Sequence, residues 1–380
     1  MGCRQAGLYP GTVEYMKYLD NLLHIGRITH TCRMMYQLLN ACLPHEYVRM
    51  ETEKAESVLA GHYADKGRSC LVKNDVEPNP NFDLLIIVPA YDAEDYVEDC
   101  IISLLRQQTQ YAFHVVVVDD GSTDGTASIL HRFDSEPRIT IVQQENKGVS
   151  AARNRGLQHI DARYVMFVDA DDCLPLYAVE SLLEKAYECN SDIVEGSAES
   201  TAGDKIVSHT DADDASYVSG YPWAKLIKAS LFSRVGFPEG YRYEDTIVNF
   251  ILCPLSHRKS SIEETVYYYR IYDGNFTSHE FRNYATLDSY WVVRRLLSDV
   301  QTLGIPFNNE LYRNLLMGMK LSGPRMNSLD EDTCKAYFAA MCNLASQSFP
   351  DCKADGRLKE LDKAVRDHDF TRYLLASYFI

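Results

Sequence analysis

The apolar run Tyr164–Val168 ends in three acids within four residues, Asp169, Asp171 and Asp172. Carboxylates this close repel one another unless a cation sits among them. Their hard oxygens suit Mg2+ or Mn2+, ions that bring a phosphate-bearing substrate with them. The competing reading is a solvated acidic turn that caps the next helix. Two other apolar runs end in similar fashion. LLIIV gives way to Pro89, Ala90, Tyr91 and Asp92, and VVVV to Asp119, Asp120 and the turn GSTDG. Between them and the third run lies NKGVSAARNRG, residues 146–156. A nucleotide needs a flat wall for its base, an acceptor for ring and ribose groups, and positive charge for its phosphates. Tyr91, beside Pro89 and Ala90, offers the wall. Asp120 can accept from a pyrimidine N–H. Asp169 and Asp171 can meet ribose and metal, and Arg153 a phosphate. Taken singly, Asp119-Asp120 reads as a turn and Arg153 as a solvated side chain.

The elements that carry these residues alternate between two periods. FDLLIIVPAYD, FHVVVVDD, RITIVQQ and YVMFV read as buried strands. AEDYVEDCIISLLRQQ, STDGTASILHRF and GVSAARNRGLQHI read as the helices between them, the second capped by Ser122 or Thr123. Strands separated by helices of this length form βαβ units with right-handed crossovers. The fold class is α/β, a doubly wound, mostly parallel sheet flanked by helices. Ligands of such sheets bind just outside the carboxyl ends of the strands, where all three acidic signatures lie. After Asp172 the pattern loosens. LYAVESLLEKAYE reads as a helix, SDIVEG as a strand, and residues 197–216 as a polar loop or hairpin. GYPWAKLIKASLFSRVG contains a short helix, and FPEGYRYEDTIVNFILCPL a turn and then a helix opened by Asp245. IEETVYYYRIYDGNFTS is a strand with its exit loop.

These readings divide the chain into a helical extension and linker at 1–80, the α/β domain at 81–280 and a helical region at 281–380. Apolar positions from Thr12 to Leu43 follow a helical period with a break near Gly26, and VKNDVEPNPN reads as the linker. The extension is expected to pack on the C-terminal helices or on another copy of the chain; a peripheral membrane contact is the alternative. The chain has 380 residues and a formal net charge of -16, which argues against nucleic acid as a partner. Its 11 cysteines form no CxxC pair, which disfavours a zinc site or a disulfide framework and fits a reducing cytoplasm. No apolar run has the form of a signal peptide or reaches the roughly 18 residues of a membrane span. The expected location is cytoplasmic, with the inner face of the membrane as a variant.

In order, LLIIVPAYDAEDYVEDCIISLLRQQ, VVVVDDGSTDGT, NKGVSAARNRGL and YVMFVDADD resemble the inverting family-2 glycosyltransferases of GT-A fold, of the non-processive bacterial type. WAKLIKASLF, FPEGYRYEDTIVNF and YYYRIYDGNFTS continue the likeness, which spans roughly residues 82–280. The resemblance implies a nucleotide-sugar donor, UDP-linked if Asp120 reads a uracil, and a Mn2+ or Mg2+ ion held through a DxD, here Asp169 and Asp171. Asp172 would assist. It implies a hydroxyl acceptor on a sugar or lipid-linked glycan, in glycan or cell-surface polysaccharide synthesis. The general base would be Asp245, with Glu244 beside it, and Pro89, Ala90, Tyr91, Asp120, Arg153 and Asp169 would hold the donor. His279 is a further candidate for the diphosphate or metal. The chain departs from the pattern at Asp92 and Ala224, both commonly Asn, which puts their contacts in question. A processive QxxRW motif is missing, so one sugar per encounter is expected. The rivals are a nucleotidyltransferase, which would show a Gly-rich basic segment after the first strand, and an oxidoreductase, which would show GxGxxG. A catalytically dead sugar-nucleotide-binding module would have lost the acids that this chain keeps.

Overall fold

The computed structural model describes residues 29–74, 76, 79–203, 205–212, 218–272 and 283–379. The chain forms two compact units. One comprises Gly67–Asn275 and Ser298–Ile305; the other comprises Met1–Lys66, Phe276–Leu297 and Pro306–Ile380.

Among the described residues, the helices α1 (Thr29–Cys42) and α2 (Thr52–His62) come before the sheet. Then β1 (Phe82–Ala90), α3 (Val97–Leu105), β2 (Phe113–Asp119), α4 (Thr126–Leu130), β3 (Ile139–Gln143), α5 (Val149–Leu157) and β4 (Ala162–Phe167) alternate as the sequence predicts. The pattern continues with α6 (Ala178–Cys189), β5 (Ile193–Ala202), β6 (Lys205–Thr210), β7 (Lys225–Lys228) and β8 (Lys259–Arg270). The sheet runs in the order β3-β2-β1-β4-β7-β5-β6, with β8 paired to β5. β1 to β4 are parallel, β7 is antiparallel to both β4 and β5, and β8 is parallel to β5.

Leu84 to Val88 are almost fully buried, as a central parallel strand covered on both faces requires. On one face, Leu84, Ile86 and Val88 join a core that includes Val97, Cys100, Ile101 and Leu104 of α3. On the other, α5 lies so close that a Cβ on Gly156 would stand 2.4 Å from Ile87 Cγ2. Only a glycine lets the helix approach that far.

The short helix expected within GYPWAKLIKASLFSRVG is the 3-10 turn Ala229–Phe232, and KLIK before it is β7. Two local expectations are corrected. α4 starts at Thr126 after Gly125, without Ser122 or Thr123 as a cap; Asp124 Oδ1 accepts from Thr126 N at 2.9 Å instead. Residues 72–74, the start of the stretch read as a linker, are tied with Leu71 to the sheet unit. Leu71 bridges Val235, and Val72 N and Asn74 N donate to Arg234 O and Ser233 O.

The C-terminal segment is helical: Asp288–Leu303 (α7), of which residues 288–297 belong to the other unit, then in that unit Asn309–Arg325 (α8), Glu331–Ser348 (α9), Lys359–Asp367 (α10) and Phe370–Phe379 (α11). Asn308 caps α8 and Asp330 caps α9 through side-chain acceptors. Tyr36 of α1 donates to Glu360 of α10, and Trp291 Nε1 to Tyr63 O just after α2. The apolar positions expected before Thr29 lie outside the described residues. No described helix is long and apolar enough to cross a membrane.

Candidate active site

β1 and β2 end in register, Ala90 opposite Asp119, and Asp120 N donates to Ala90 O at 2.8 Å. The signatures read from sequence therefore share one sheet edge. Tyr91 is 48% exposed beside the strand end. Asp92 follows in the left-handed region at φ 46°, which Asn and Asp tolerate better than most residues. Its contact lies within the chain: Oδ1 accepts from Thr123 N at 2.6 Å, and its own N–H donates to Ser122 Oγ at 3.1 Å. The buried Asp120 carboxylate accepts from Gln144 Nε2 (2.7 Å), Lys147 N (2.9 Å) and Gly148 N (2.8 Å). A carboxylate offers about four acceptor sites. Asp120 thus shapes the 144–148 loop and keeps room for one more donor.

The acids after β4 are held by β8, an assistance that the sequence did not disclose. Asp172 is 1% exposed; its Oδ2 accepts from Tyr267 Oη at 2.7 Å and its Oδ1 from Arg270 N at 2.7 Å. Burial, with the charges of Asp169 and Asp171, pushes its carboxyl well above the ordinary range, against those two donors. Asp172 thus ties the acidic loop to β8 through both of its carboxylate oxygens. Asp172→Ala takes away the acceptor of the Tyr267 hydroxyl proton and of the Arg270 N–H, and should lower stability by about 1–3 kcal/mol; urea unfolding within 0.5 kcal/mol of wild type, roughly the scatter of a surface change, would remove this assignment. Arg270 Nε donates to Asp171 O at 2.9 Å, and Tyr272 Oη to Asp171 Oδ2 at 3.0 Å. Burial and the Asp169 charge raise the Asp171 carboxyl, and the Tyr272 hydrogen bond opposes them.

Arg153, expected to meet a donor phosphate or, taken singly, solvent, is turned instead to two protein carboxylates. It is 4% exposed and lies between two acids, with Nη2 at 3.0 Å from Asp169 Oδ1 and Nη1 at 2.7 Å from Glu244 Oε1. Its guanidinium sits 5.1 Å from the Phe237 ring centroid. Burial alone would lower its pKa, but Asp169 and Glu244 together raise it. Burial raises the Glu244 carboxyl; Arg153 pulls it down and Asp245 pushes it up. The same face of α5 holds the turn before Glu244. Asn154 Nδ2 donates to Phe237 O at 2.9 Å, Phe237 N to Asn154 Oδ1 at 2.7 Å, and Ser150 Oγ to Pro238 O at 3.1 Å. Asp245 lies within the 3-10 turn Glu244–Thr246, which runs into a π-helical segment, Val248–Leu252. It does not cap a helix; Tyr243 occupies the cap position and makes no side-chain cap bond. π-Helical turns are rare and frequent at functional sites.

Asp169 and Asp171 are two hard donors at the strand end. No larger group of His, Cys, Asp and Glu able to hold a metal occurs among the described residues. Two carboxylates still fit Mg2+ or Mn2+, which keep waters and take their other oxygens from substrate phosphates. His279 lies outside the described residues. Nearby, Lys225 is fully buried, with Nζ at 2.6 Å from both Glu195 Oε1 and Ser219 Oγ. Ala224, where the resemblance has Asn, is buried at φ 54°. The position asks for left-handed backbone, a requirement that Asn meets more easily than Ala.

A strand-end acid pair joined through a buried arginine to a second acidic turn defines the class. Residues 85–245 match the family model described as Glycosyl transferase family 2. This chain carries a family-2 glycosyltransferase domain, with the acids above inside the matched span. Among curated relatives it is 30% identical over 282 residues to Glycosyltransferase GlyA of Streptococcus pneumoniae, covering 67% of this chain and 40% of GlyA. It is 28% identical over 245 residues to Glycosyltransferase GlyG of the same organism, covering 58% of this chain and 81% of GlyG. The chain thus spans less than half the length of the first of these relatives. Among solved structures, S. aureus TarS 1-349 in complex with UDP-GlcNAc aligns with a TM-score of 0.60 at 20% identity, covering 78% of this chain and 90% of that one. The likeness shows the fold, which is GT-A-like.

Proposed function

We propose that this protein is a metal-dependent inverting glycosyltransferase that moves one sugar from a UDP-linked donor to a hydroxyl of a glycan acceptor. The observation that carries the reading is the Arg153 bridge, which joins the donor-side Asp169 to the Glu244-Asp245 turn. Tyr91 walls the base, and the remaining acceptor site of Asp120 takes the uracil N–H. Asp169 and Asp171 would hold Mn2+ or Mg2+, which when bound neutralises charge on the departing diphosphate. Asp245 takes the proton of the attacking hydroxyl on the face opposite the leaving group. Glu244, held by Arg153, fixes the turn that presents Asp245. A GT-A-like neighbour known with UDP-GlcNAc makes UDP-sugars the first donors to try.

The test is a screen of nucleotide sugars for nucleoside diphosphate release with Mn2+, paired with calorimetry on UDP, ADP, GDP and CMP. UDP is expected to bind tightest, and a UDP-sugar to turn over. Equal affinity for the four nucleotides would remove the role given to Asp120. Full turnover by chelator-treated protein would remove the metal.

A further inference from the structure

We infer that Tyr272 is a positioning residue for the metal-binding carboxylate of Asp171, an inference that rests on the metal reading above. Asp171 is gripped at two points by the end of β8 and the residues after it. Arg270 Nε takes its backbone carbonyl at 2.9 Å, and the Tyr272 hydroxyl takes Oδ2 at 3.0 Å. The grip is itself anchored. The Tyr272 ring packs on Tyr96, with centroids 4.6 Å apart, and the Arg270 guanidinium sits 4.8 Å from the Tyr96 ring centroid. Arg270 Nη2 also lies 3.7 Å from Asp99 Oδ2 in the first turn of α3. β8 is further pinned to the acidic loop by the bridge between Cys173 and Tyr268, with N–H···O distances of 3.2 and 2.9 Å.

The chemical consequence concerns one torsion. A carboxylate at a strand end can rotate about χ2, and its next neighbour in the motif, Asp169, repels it. With Oδ2 engaged by Tyr272, the carboxylate plane is fixed and Oδ1 is the oxygen left to coordinate a cation. Asp169 is oriented in the same way by Arg153, which holds its Oδ1. The two ligands are thus set by two different partners, a cation from α5 and a neutral hydroxyl beyond β8. The neutral hydroxyl matters, because it orients Asp171 without cancelling the charge that attracts the ion. Partners that orient metal ligands typically change metal affinity by about 10–100-fold when removed.

The experiment is a Mn2+ titration by calorimetry in the presence of saturating UDP, on wild type, Tyr272→Phe, Tyr96→Phe and Asp171→Asn. Tyr272→Phe keeps the ring stack and loses the hydroxyl. It is expected to weaken Mn2+ by about 10-fold or more, and to raise the Mn2+ concentration for half-maximal turnover while leaving kcat at saturating Mn2+ near wild type. Tyr96→Phe keeps the stack and should bind Mn2+ as wild type does. Unchanged Mn2+ affinity in Tyr272→Phe, beside a loss in Asp171→Asn, would overturn the role of Tyr272 and leave the metal reading standing. Wild type that binds no Mn2+, or Asp171→Asn that binds it normally, would overturn both.

Discussion

Arg153→Met is expected to destabilise the fold by about 3–5 kcal/mol, the usual result of removing one member of a buried ion pair. The geometry puts Arg153 in the costly class. The guanidinium is almost wholly buried, and each of its terminal nitrogens holds a different carboxylate. Methionine fills much of the volume but leaves Asp169 and Glu244 without their cation. The loss should depend on pH. The Glu244 carboxyl is already raised by burial, and without the guanidinium it rises further. A carboxyl whose folded pKa exceeds its unfolded one favours folding only while protonated. The variant should therefore weaken as pH climbs above about 4.3, the unfolded value, and recover in acid. Arg153→Lys keeps the charge but not the two-pronged fork, so it should fall between. Urea unfolding at several pH values checks this. A loss under about 1 kcal/mol, in the range of an exposed pair, would mean that the bridge carries little.

Asp245→Asn should leave the fold intact and abolish transfer. Asp245 sits inside the 3-10 turn Glu244–Thr246, and asparagine keeps its size and one acceptor oxygen. Its charge pushes the Glu244 carboxyl upward, and a neutral amide relieves that. Stability should move by less than about 1 kcal/mol, as for a substitution outside core and caps. UDP affinity should hold, because the proposed nucleotide contacts lie at the ends of β1, β2 and β4. Transfer should fall by about 100-fold or more, as expected when a positioned base is lost, while slow donor hydrolysis continues. Melting temperature, UDP calorimetry and product formation on one variant decide it. Retained transfer would move the base to another carboxylate. Lost UDP binding would instead place Asp245 in the donor site.

β1, β2 and β4 were legible because each is a short apolar run that gives way to polar residues including an acid, and a central strand has no solvent face to interrupt it. The strand-end acids were legible for the same reason. Arg153 was harder. A helix-borne arginine reads as solvated until its partners are known, and these lie 16 and 91 residues away. A local signal did exist: Ser150, Arg153 and Asn154 share one helical face by spacing, and all three reach the segment from Phe237 to Glu244. β7 went unread within GYPWAKLIKASLFSRVG because the four residues of KLIK are too few for a period to distinguish strand from helix. Ser122 and Thr123 look like caps, but Asp92, 31 residues before Thr123, takes them. The role of β8 was hidden because tyrosines near a strand end give no sign of which acid they meet.

The residues that fix the acidic loop enter the chain late. Tyr267 and Tyr272 meet Asp172 and Asp171 across separations of 95 and 101 residues. Contacts of that range close slowly, since the loop-closing entropy precedes any gain. A chain emerging from the ribosome can pair β1 to β4 and bury their apolar runs well before β8 exists. Through that interval Asp171 and Asp172 stand at a formed sheet edge without the hydroxyls and backbone N–H that later hold them. A nascent chain stalled just before Lys259 should therefore have the sheet centre and no ordered acidic loop, which acquires its fixed shape only once residues through Tyr272 have cleared the exit tunnel.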